Sequence, residues 1–412
     1  MKLNILRLLV VALACASALM LFTNARAQKH TVNQEFAVSL TTLGMPMPAQ
    51  TPAATAAPQE KTVDQTHKNI QVLKGLPESQ LGTVMQYIAV SMGRRCDFCH
   101  VNKGGTWNWE SDEKEEKLAG RKMITMVLAL NKDNFRGSPT VGCYTCHRGR
   151  STPQSMPSFP LPTPAPRPQP QATPVPGQPA ATPAPTPAQP TGDQILAKYI
   201  EALGGQAAID KMKTLVMKGT FTGFNGAALP YEVDLAAPDK FYINVTALQG
   251  TVERGFDGKA AWEKGPRGVN ELMNPVLDDL KSIFLFYLNI KLKEQFTRLR
   301  GGRKDKIGDR DVIVVNGTTS DNHREQLFFD AETGLLRRRM SYLETPIGVI
   351  PSQIDFEDYR DVDGVKLPFT VKVSSVEPGL VSTRTYTEIK LNAPVDDAKF
   401  KMPAAPAKPS TP

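Results

Sequence analysis

The stretch that decides the fold of the N-terminal part is MGRRCDFCH, residues 92–100, in which two cysteines enclose two residues and a histidine follows directly. The same pattern returns as CYTCH at residues 143–147. This spacing lets two thiols on one helical turn reach the two vinyl groups of a porphyrin, while the histidine reaches the iron. We therefore predict two covalently bound haem c groups. The predicted thioether residues are Cys96, Cys99, Cys143 and Cys146, and the predicted axial ligands are His100 and His147.

Two other uses of paired cysteines compete with this interpretation. A structural zinc could take both pairs, but the 43 residues between Cys99 and Cys143 are many for a small zinc ribbon. A thiol redox site or a disulfide is the second alternative. Such a site would need only one pair. Neither alternative uses the two histidines.

The N-terminus is typical of a secretory signal. Lys2 and Arg7 precede an apolar run, residues 8–22, and Ala27 ends a small-x-small cleavage site. An uncleaved membrane anchor is the alternative. Cys15 lies within the apolar run and is assigned to the removed peptide. We expect the mature protein in the periplasm or on the outer face of the cytoplasmic membrane, with every remaining cysteine in a haem motif.

Length and composition limit the other function classes. A chain of 412 residues predicts more than one domain. Its net charge of +8 fits an anionic partner or membrane surface, but no basic stripe with interleaved aromatics indicates nucleic-acid binding. No later segment is apolar for long enough to span a bilayer.

Each iron has either a sixth ligand or an open site, and histidines that could serve as the ligand are few. Of five histidines, only His67 is spare near the motifs, so methionine is the predicted ligand. A helix over residues 78–91 carries Met85 on an apolar face with Leu81, Ile88 and Met92. A second helix over residues 111–131 carries Met123 and Met126. Met85 is favoured over Met92, which lies only four residues before Cys96. Spacing does not separate Met123 from Met126, and all four could simply fill a core.

The segments KNIQVLKGLPESQLGTVMQYIAVSMGRRCDFCH, GRKMITMVLALNKDNF and VGCYTCHRG resemble the cytochrome c subunit of photosynthetic reaction centres. The resemblance covers residues 66–150. It implies electron transfer rather than catalysis, with redox proteins as donor and acceptor, some of them membrane-bound. It also implies that Met85 and Met123 are the sixth ligands. Well-known members have four haems, whereas this chain has one pair of motifs. The resemblance therefore supports the haem site more strongly than it supports a photosynthetic partner.

Two features near the motifs have less certain roles. The connection GGTWNWESDEKEEK carries Trp107 and Trp109, which could shield a haem edge but more often serve packing. Four arginines flank the motifs and could pair with haem propionates, form a docking face or be solvated. They are Arg94, Arg95, Arg148 and Arg150.

The remaining chain predicts a different architecture. Residues 151–192 form a proline-rich linker, with fifteen prolines between residues 151 and 190. Residues 193–402 begin with helices and continue with strands, one helical region near residues 274–295 interrupting them. Asp257-Gly258, Thr333-Gly334 and Asp363-Gly364 are predicted hairpin turns. The predicted fold is multidomain: a mainly α dihaem cytochrome domain, the linker, and an α+β antiparallel half-barrel-like domain. Residues 28–65 are a predicted flexible leader, and residues 403–412 a tail.

The element order of this second domain resembles the lipoprotein carriers of outer-membrane sorting. That resemblance implies an apolar ligand such as a lipid or quinone on the concave sheet. Asp278, Asp279 and the run LRRRM at residues 336–340 are interpreted as surface residues. Three functions therefore compete: a dihaem electron carrier, a dihaem peroxidase, and a binding module to which the haems are secondary.

Overall fold

The computed structural model describes nine stretches of the chain: residues 60–156, 189–223, 226–247, 250–266, 268–272, 276–287, 289–320, 322–376 and 381–404. The predicted signal peptide, most of the leader, residues 157–188 of the linker and residues 405–412 of the tail lie outside these stretches. The side chains of Asp278 and Asp279 are likewise not described.

Short helices make up most of residues 60–150, which we call the N-terminal region. Its α-helices are α1 (Val63–Thr66), α2 (Leu81–Met92), α3 (Glu115–Asn134) and α4 (Cys143–His147). Two 3₁₀ turns, Glu78–Gln80 and Cys96–Phe98, precede and follow α2. No helix in the described stretches combines the length and apolar content that crossing a bilayer requires.

Helix α2 lies close to its predicted position, but its buried face differs from the predicted one. Gly93 ends the helix with a φ of 59°, a conformation that favours glycine. Val84, Tyr87 and Ser91 are the buried residues. The predicted apolar face, which carries Met85, lies on the neighbouring side of the helix and is only partly buried.

The predicted polar connection between the motifs contains a small hairpin. Strand β1 (Val101–Lys103) pairs antiparallel with β2 (Thr106–Asn108). The turn consists of Gly104 and Gly105 with φ values of 62° and 88°, which suits a two-residue hairpin loop. The hairpin shortens the connection and delays the start of α3 to Glu115, four residues later than predicted.

The second half of the chain, residues 189–404, forms the sheet region. Its helices are α5 (Gly192–Leu203), α6 (Gln206–Asp210), α7 (Val276–Phe284) and α8 (Leu292–Gln295). Its strands are β3 (Thr214–Thr222), β4 (Ala228–Ala236), β5 (Lys240–Ala247), β6 (Gly250–Phe256), β7 (Ala261–Gly265), β8 (Gly268–Leu272), β9 (Phe296–Ile307), β10 (Arg310–Thr319), β11 (Arg324–Asp330), β12 (Leu336–Thr345), β13 (Gly348–Val362), β14 (Val365–Ser374) and β15 (Val381–Leu391).

All thirteen of these strands form one antiparallel sheet, in the order β8-β7-β6-β5-β4-β3-β15-β14-β13-β12-β11-β10-β9. Two meanders, β3–β8 and β9–β15, therefore join where β3 pairs with β15. In the described stretches the outer strands β8 and β9 do not pair with each other, so the sheet is open, as a half-barrel requires. The three predicted turns each connect neighbouring strands. Strands β6 and β7 are predicted only through the turn at Asp257-Gly258, and no predicted strand or turn corresponds to β8 or β9.

The core of the sheet region lies between one face of the sheet and the helices. Helix α5 contributes Ile195, Leu196, Tyr199 and Leu203, a 3.6-residue pattern that buries one side of the helix. The predicted helical region of residues 274–295 is two helices, α7 and α8, with a connection between them. Phe284 and Leu292, one from each, are buried in this core.

A second core joins the N-terminal region to the sheet region. Val84 and Tyr87 of α2 and Ile124 of α3 share a buried cluster with Ile347 and Ile350. The last two belong to the β12–β13 hairpin, whose tip would be exposed to solvent if it had no neighbour. The predicted linker therefore connects two parts that are packed against each other.

The start of the N-terminal region also needs correction. The predicted leader ran to residue 65, yet Val63 is fully buried in the shared core. The backbone of Val63 donates a hydrogen bond to the Leu76 carbonyl at 2.9 Å, and Thr62 forms a bridge with Pro77. Apolar burial thus extends the fold back beyond the first residue of the family-like segment.

Candidate haem site

Both cysteine motifs adopt a single helical turn. In the first, the amide of His100 donates to the Cys96 carbonyl at 2.9 Å. In the second, Cys143–His147 is the short helix α4. Residues three and four positions apart lie on the same side of such a turn. In each motif the two thiols and the histidine therefore lie on the same side of the turn.

The backbone brings the two motifs side by side. The amide of Gly149 donates to the Ser91 carbonyl at 2.8 Å, and Arg94 donates to the Ser151 hydroxyl at 3.0 Å. A Cβ on Gly93 would lie 2.1 Å from the Gly149 carbonyl oxygen, so only glycine fits this crossing. The segment before the first motif is thus bonded to the segment after the second.

Tyr87 of α2 anchors the second motif. Its hydroxyl accepts a hydrogen bond from the Tyr144 amide at 3.4 Å. The same hydroxyl lies between two glycines, because a Cβ on Gly142 would be 2.5 Å from it and a Cβ on Gly348 would be 2.7 Å from it. Tyr87 therefore connects α2, α4 and the β12–β13 hairpin. No sequence pattern pointed to this role of Tyr87, although the residue lies within the family-like segment.

The two histidines differ in their surroundings. Nδ1 of His147 lies 2.9 Å from the Arg150 carbonyl, so a protonated Nδ1 leaves Nε2 as the free nitrogen. A hydrogen bond of this kind orients a metal-ligating histidine. Nδ1 of His100 is buried and has no hydrogen-bond partner among the described residues. Burial, helped by Lys117, lowers the pKa of His100 and favours the neutral ring that binds a metal.

The cysteines do not behave as the two alternatives require. A reactive dithiol has a lowered thiol pKa, whereas burial raises the pKa of Cys143 to about 11 and also raises that of Cys99. A zinc site needs several ligands that converge. Among the described residues, which include the four cysteines of the two motifs, no three Cys, His, Asp or Glu side chains do so.

The methionines lie on apolar helix faces that are not fully covered by protein. On α3, Ile124, Val127 and Asn131 face the core, while Met123 and Met126 are 44% and 43% exposed. Leu118 and Leu130 extend the exposed apolar side of this helix. Met85 is half-buried beside the core face of α2. Each helix therefore offers an apolar face next to its core face, a surface suited to a porphyrin, and the two exposures do not separate Met123 from Met126.

The tryptophans contact the first motif. Trp109 lies edge-on to His100, with ring centroids 5.1 Å apart, and stacks on Trp107 at 4.5 Å. The hairpin β1–β2 brings them there by folding back directly after His100. Trp109 is 53% exposed. The pair therefore packs on the histidine and also reaches the surface.

A cluster of polar side chains holds the start of α3 in place, and no sequence pattern indicates this cluster. Asp112 accepts a hydrogen bond from Arg121 at 2.9 Å and another from Asn69 at 2.9 Å. Lys117 pairs with Asp112 at 3.2 Å and donates to the Trp109 carbonyl at 2.8 Å. The Arg121 hydrogen bond, followed by that of Asn69, holds the pKa of Asp112 well below its usual range.

The remaining predicted residues have ordinary partners. His67, the spare histidine, lies 3.3 Å from a carboxylate oxygen of Glu78. Arg94 covers the ring of Phe98 at 4.8 Å. Arg338 and Arg339 of the LRRRM run pair with Asp355 and Glu325, and Arg339 is buried rather than on the surface as predicted.

Comparison with known proteins finds relatives of the N-terminal part. The family model of the photosynthetic reaction centre cytochrome C subunit matches residues 24–173. The photosynthetic reaction center cytochrome c subunit of Thermochromatium tepidum is 35% identical over 94 residues, and cytochrome c-554 of Chloroflexus aurantiacus is 34% identical over 99 residues. In both cases the match covers 22% of this chain and 22% of the relative. The chain thus spans about a fifth of the length of these curated relatives.

Solved structures of another class also align with the chain. A LolA superfamily protein from Nitrosomonas europaea aligns over 52% of this chain and 98% of its own, at 15% identity and a TM-score of 0.39. A lipoprotein-sorting protein domain from Vibrio parahaemolyticus covers 50% and 97%, at 11% identity and a TM-score of 0.37. The N-terminal part of the chain, residues 24–173, resembles the photosynthetic reaction centre cytochrome c subunits, a family of haem c proteins.

Proposed function

We propose that this protein is an exported dihaem c-type cytochrome that transfers electrons between redox proteins. One observation carries the proposal. The segment before the first C-x-x-C-H turn is hydrogen-bonded to the segment after the second through Gly149 and Ser91, so the two turns belong to one unit. Because one residue spans at most about 3.6 Å, the Cα atoms of Cys96 and His147 are no more than about 30 Å apart.

Four thiols and two histidines would hold the cofactors. Cys96 and Cys99 would attach one haem, and Cys143 and Cys146 the other, with His100 and His147 as ligands. When bound, haem supplies reversible one-electron transfer. The protein contributes rigid placement, because Tyr87, Ser91 and Gly149 hold the motifs without flexible connections. A rigid site changes little between oxidation states, which suits an electron carrier.

Met85 and Met123 are the proposed sixth ligands. Each lies on an apolar helix face that the core leaves at least partly uncovered, and the family resemblance favours Met123 over Met126. Methionine and histidine together favour a higher reduction potential than two histidines. Two occupied sixth positions also disfavour a peroxidase, which needs an open or displaceable position.

The proposed partners are redox proteins at the outer face of the cytoplasmic membrane or in the periplasm. The name of the Thermochromatium tepidum relative refers to a photosynthetic reaction centre, but the match covers about a fifth of that protein's length. The partner is therefore proposed by class: an electron donor and an electron acceptor, at least one of which is membrane-bound.

Spectroscopy of the purified, haem-loaded protein tests this proposal. A pyridine haemochrome spectrum with an iron count should give two haem c per chain. Met85→Ala and Met123→Ala should each remove about half of the methionine-to-iron charge-transfer band, since each supplies one of two ligands. Met126→Ala is the matched control for Met123, because it is equally exposed on the same helix, and Met92→Ala is the control for Met85.

Several results would contradict the proposal. Colourless protein, or zinc in place of iron, would overturn the haem assignment. Loss of the band in Met126→Ala but not in Met123→Ala would assign the sixth ligand to Met126, one helical turn further along α3. Peroxide turnover with a five-coordinate spectrum would favour the peroxidase.

A second function is proposed for the sheet region, namely binding of an apolar ligand. A cavity of about 110 Å³ lies between α5, α7 and strands β3, β4, β13, β14 and β15. Its walls are mostly apolar, and include Leu215, Met217, Leu235 and Phe356. Engineered apolar cavities of about 150 Å³ bind benzene, so a cavity of this size accommodates a small apolar group.

A further inference from the structure

Four charged side chains are buried among the described residues, and three of them are paired. Asp234 lies 2.7 Å from the Lys399 amine, and Asp330 lies 3.4 Å from Arg310. Arg339 forms two hydrogen bonds with the Glu325 carboxylate, at 2.6 and 2.9 Å. Pairing of this kind is the rule for buried charges. The fourth, Arg384, departs from this rule.

Arg384 on β15 is 7% exposed and has no carboxylate partner within the described stretches. Its Nε is buried without any hydrogen-bond partner there. Nη1 donates a long hydrogen bond of 3.4 Å to the Ser382 hydroxyl, and the Tyr231 side chain is a second hydrogen-bond partner of the guanidinium. Both partners are neutral. Because a guanidinium cannot lose its proton in a protein, burial leaves this charge without an anionic partner.

Arg384 lies where an anionic partner could reach it from the cavity. Arg384 lines the cavity of the sheet region, and its guanidinium lies 5.4 Å from the rings of both Phe221 and Phe284. Among the lining residues whose side chains the structure describes there is no aspartate or glutamate, and the other charged one is Lys366, which is exposed.

The polar neighbours of the cavity have partners of their own. The hydroxyl of Tyr199 donates to the Asn289 carbonyl, and that of Tyr359 donates to the Leu336 carbonyl at 2.7 Å. The Asn289 side chain accepts from Arg339. These groups are therefore not directed at Arg384. The contacts that Arg384 makes within the described stretches, with Ser382, Tyr231 and the rings of Phe221 and Phe284, are all with neutral groups.

We propose that the cavity binds an amphiphile with an anionic head, carboxylate or phosphate, whose head pairs with Arg384 and whose apolar part lies among the cavity walls. The guanidinium matches such heads in shape as well as in charge. Lys366 at the opening adds attraction for an anion. The inference rests on the proposed apolar-ligand function of the sheet region and adds the head group to it.

Titration calorimetry on the full-length haem-loaded protein tests the head group directly. Octanoate and octanamide share a tail and differ in charge, and octyl phosphate carries the other anionic head. The wild-type protein should bind octanoate or octyl phosphate at least about 10-fold more tightly than octanamide, because only the anions pair with the guanidinium. The tighter of the two anions identifies the head.

Two variants assign the preference to Arg384. Arg384→Met should reduce the ratio of the affinities for the anion and for octanamide to about 1. Arg384→Lys should keep part of this preference, because lysine retains the charge without the planar fork. Arg254→Met is the control, since Arg254 pairs with Glu263 at 2.7 Å away from the cavity lining and should leave the preference unchanged.

The outcomes separate the two proposals. Equal binding of octanoate and octanamide to the wild-type protein would overturn the anionic head and leave the apolar cavity function standing. Absence of binding by all three compounds would overturn both. The wild-type comparison requires no variant, so it decides the head group even if Arg384→Met does not fold.

Discussion

The N-terminal region and the sheet region differ in how much of their apolar surface the protein itself covers. In residues 60–150, only eight apolar side chains are buried, while Trp109, Leu118, Met123, Met126, Leu130, Phe135 and Tyr144 are exposed. In the sheet region, one contiguous core runs from α5 across the sheet. A polypeptide with so few buried side chains gains little stability from its own core. We therefore expect the N-terminal region to depend on bound haem and on its neighbour for stability more than the sheet region does.

The largest expected effect follows from removing covalent attachment. In the variant Cys99→Ser, Cys146→Ser, we expect backbone amides of α2 and α3 to exchange at least about 100-fold faster, because cofactor binding and folding are coupled. Amides of β3, β4 and β15 should keep their protection. Hydrogen exchange followed by mass spectrometry on the full chain measures both regions at once. Unchanged protection of α2 and α3 would show that the apolar helix faces need no cofactor.

The sequence predicted the elements of the N-terminal region better than their packing. Periodicity located α2, but selected the side with Leu81, Met85 and Ile88 instead of Val84 and Tyr87. Both sides are apolar, so periodicity alone cannot decide which one meets the protein core and which one is left for a cofactor. The buried Ser91 was also missed, because its carbonyl contact with Gly149 arises from a crossing that no local pattern indicates.

In the sheet region, turns were more informative than strands. The Asp-Gly and Thr-Gly steps identified three hairpins, because the glycine of each step adopts the positive φ that such turns require. Strand β9 was missed because its run of arginines, lysines and glycines has no clear alternation. Long-range features could not be predicted at all: the burial of Ile347 and the unpaired charge of Arg384 depend on residues far away in the sequence.

Ile347 provides a more selective test of the dependence of one region on the other. It is fully buried at the tip of the β12–β13 hairpin, in the core shared with α2 and α3. Ile347→Ala should lower the free energy of unfolding by about 2–5 kcal/mol, the usual cost of such a cavity. The loss should be seen as faster exchange in α2 and α3, with the sheet unaffected.

Leu327→Ala is the matched control for this experiment. Leu327 is equally buried but lies within the core of the sheet region. This variant should destabilise the strands by a similar amount. If Ile347→Ala destabilises the strands as strongly as Leu327→Ala does, the hairpin tip belongs energetically to the sheet and the two regions are not separate.

The smallest expected effect distinguishes the regions by pH. The pKa of Asp112 in the N-terminal region is lowered, first by Arg121, so its contribution to stability is present above the unfolded value of 3.8 and is lost as the pH falls below it. The pKa of Asp234 in the sheet region is raised, because burial outweighs the nearby Lys399, so ionisation of Asp234 opposes folding. Acid should therefore weaken the contacts of Asp112 in the N-terminal region and remove the cost of burying the charge of Asp234 in the sheet region.

Asp112→Asn should destabilise α3 at pH 7, and the difference from wild type should shrink as the pH approaches 3. Exchange rates of α3 across this pH range, corrected for intrinsic exchange, measure the effect. An asparagine at this position keeps the shape of the carboxylate but cannot titrate. If the difference in exchange rate between Asp112→Asn and wild type does not change with pH, Asp112 acts through hydrogen-bond geometry and its charge does not contribute.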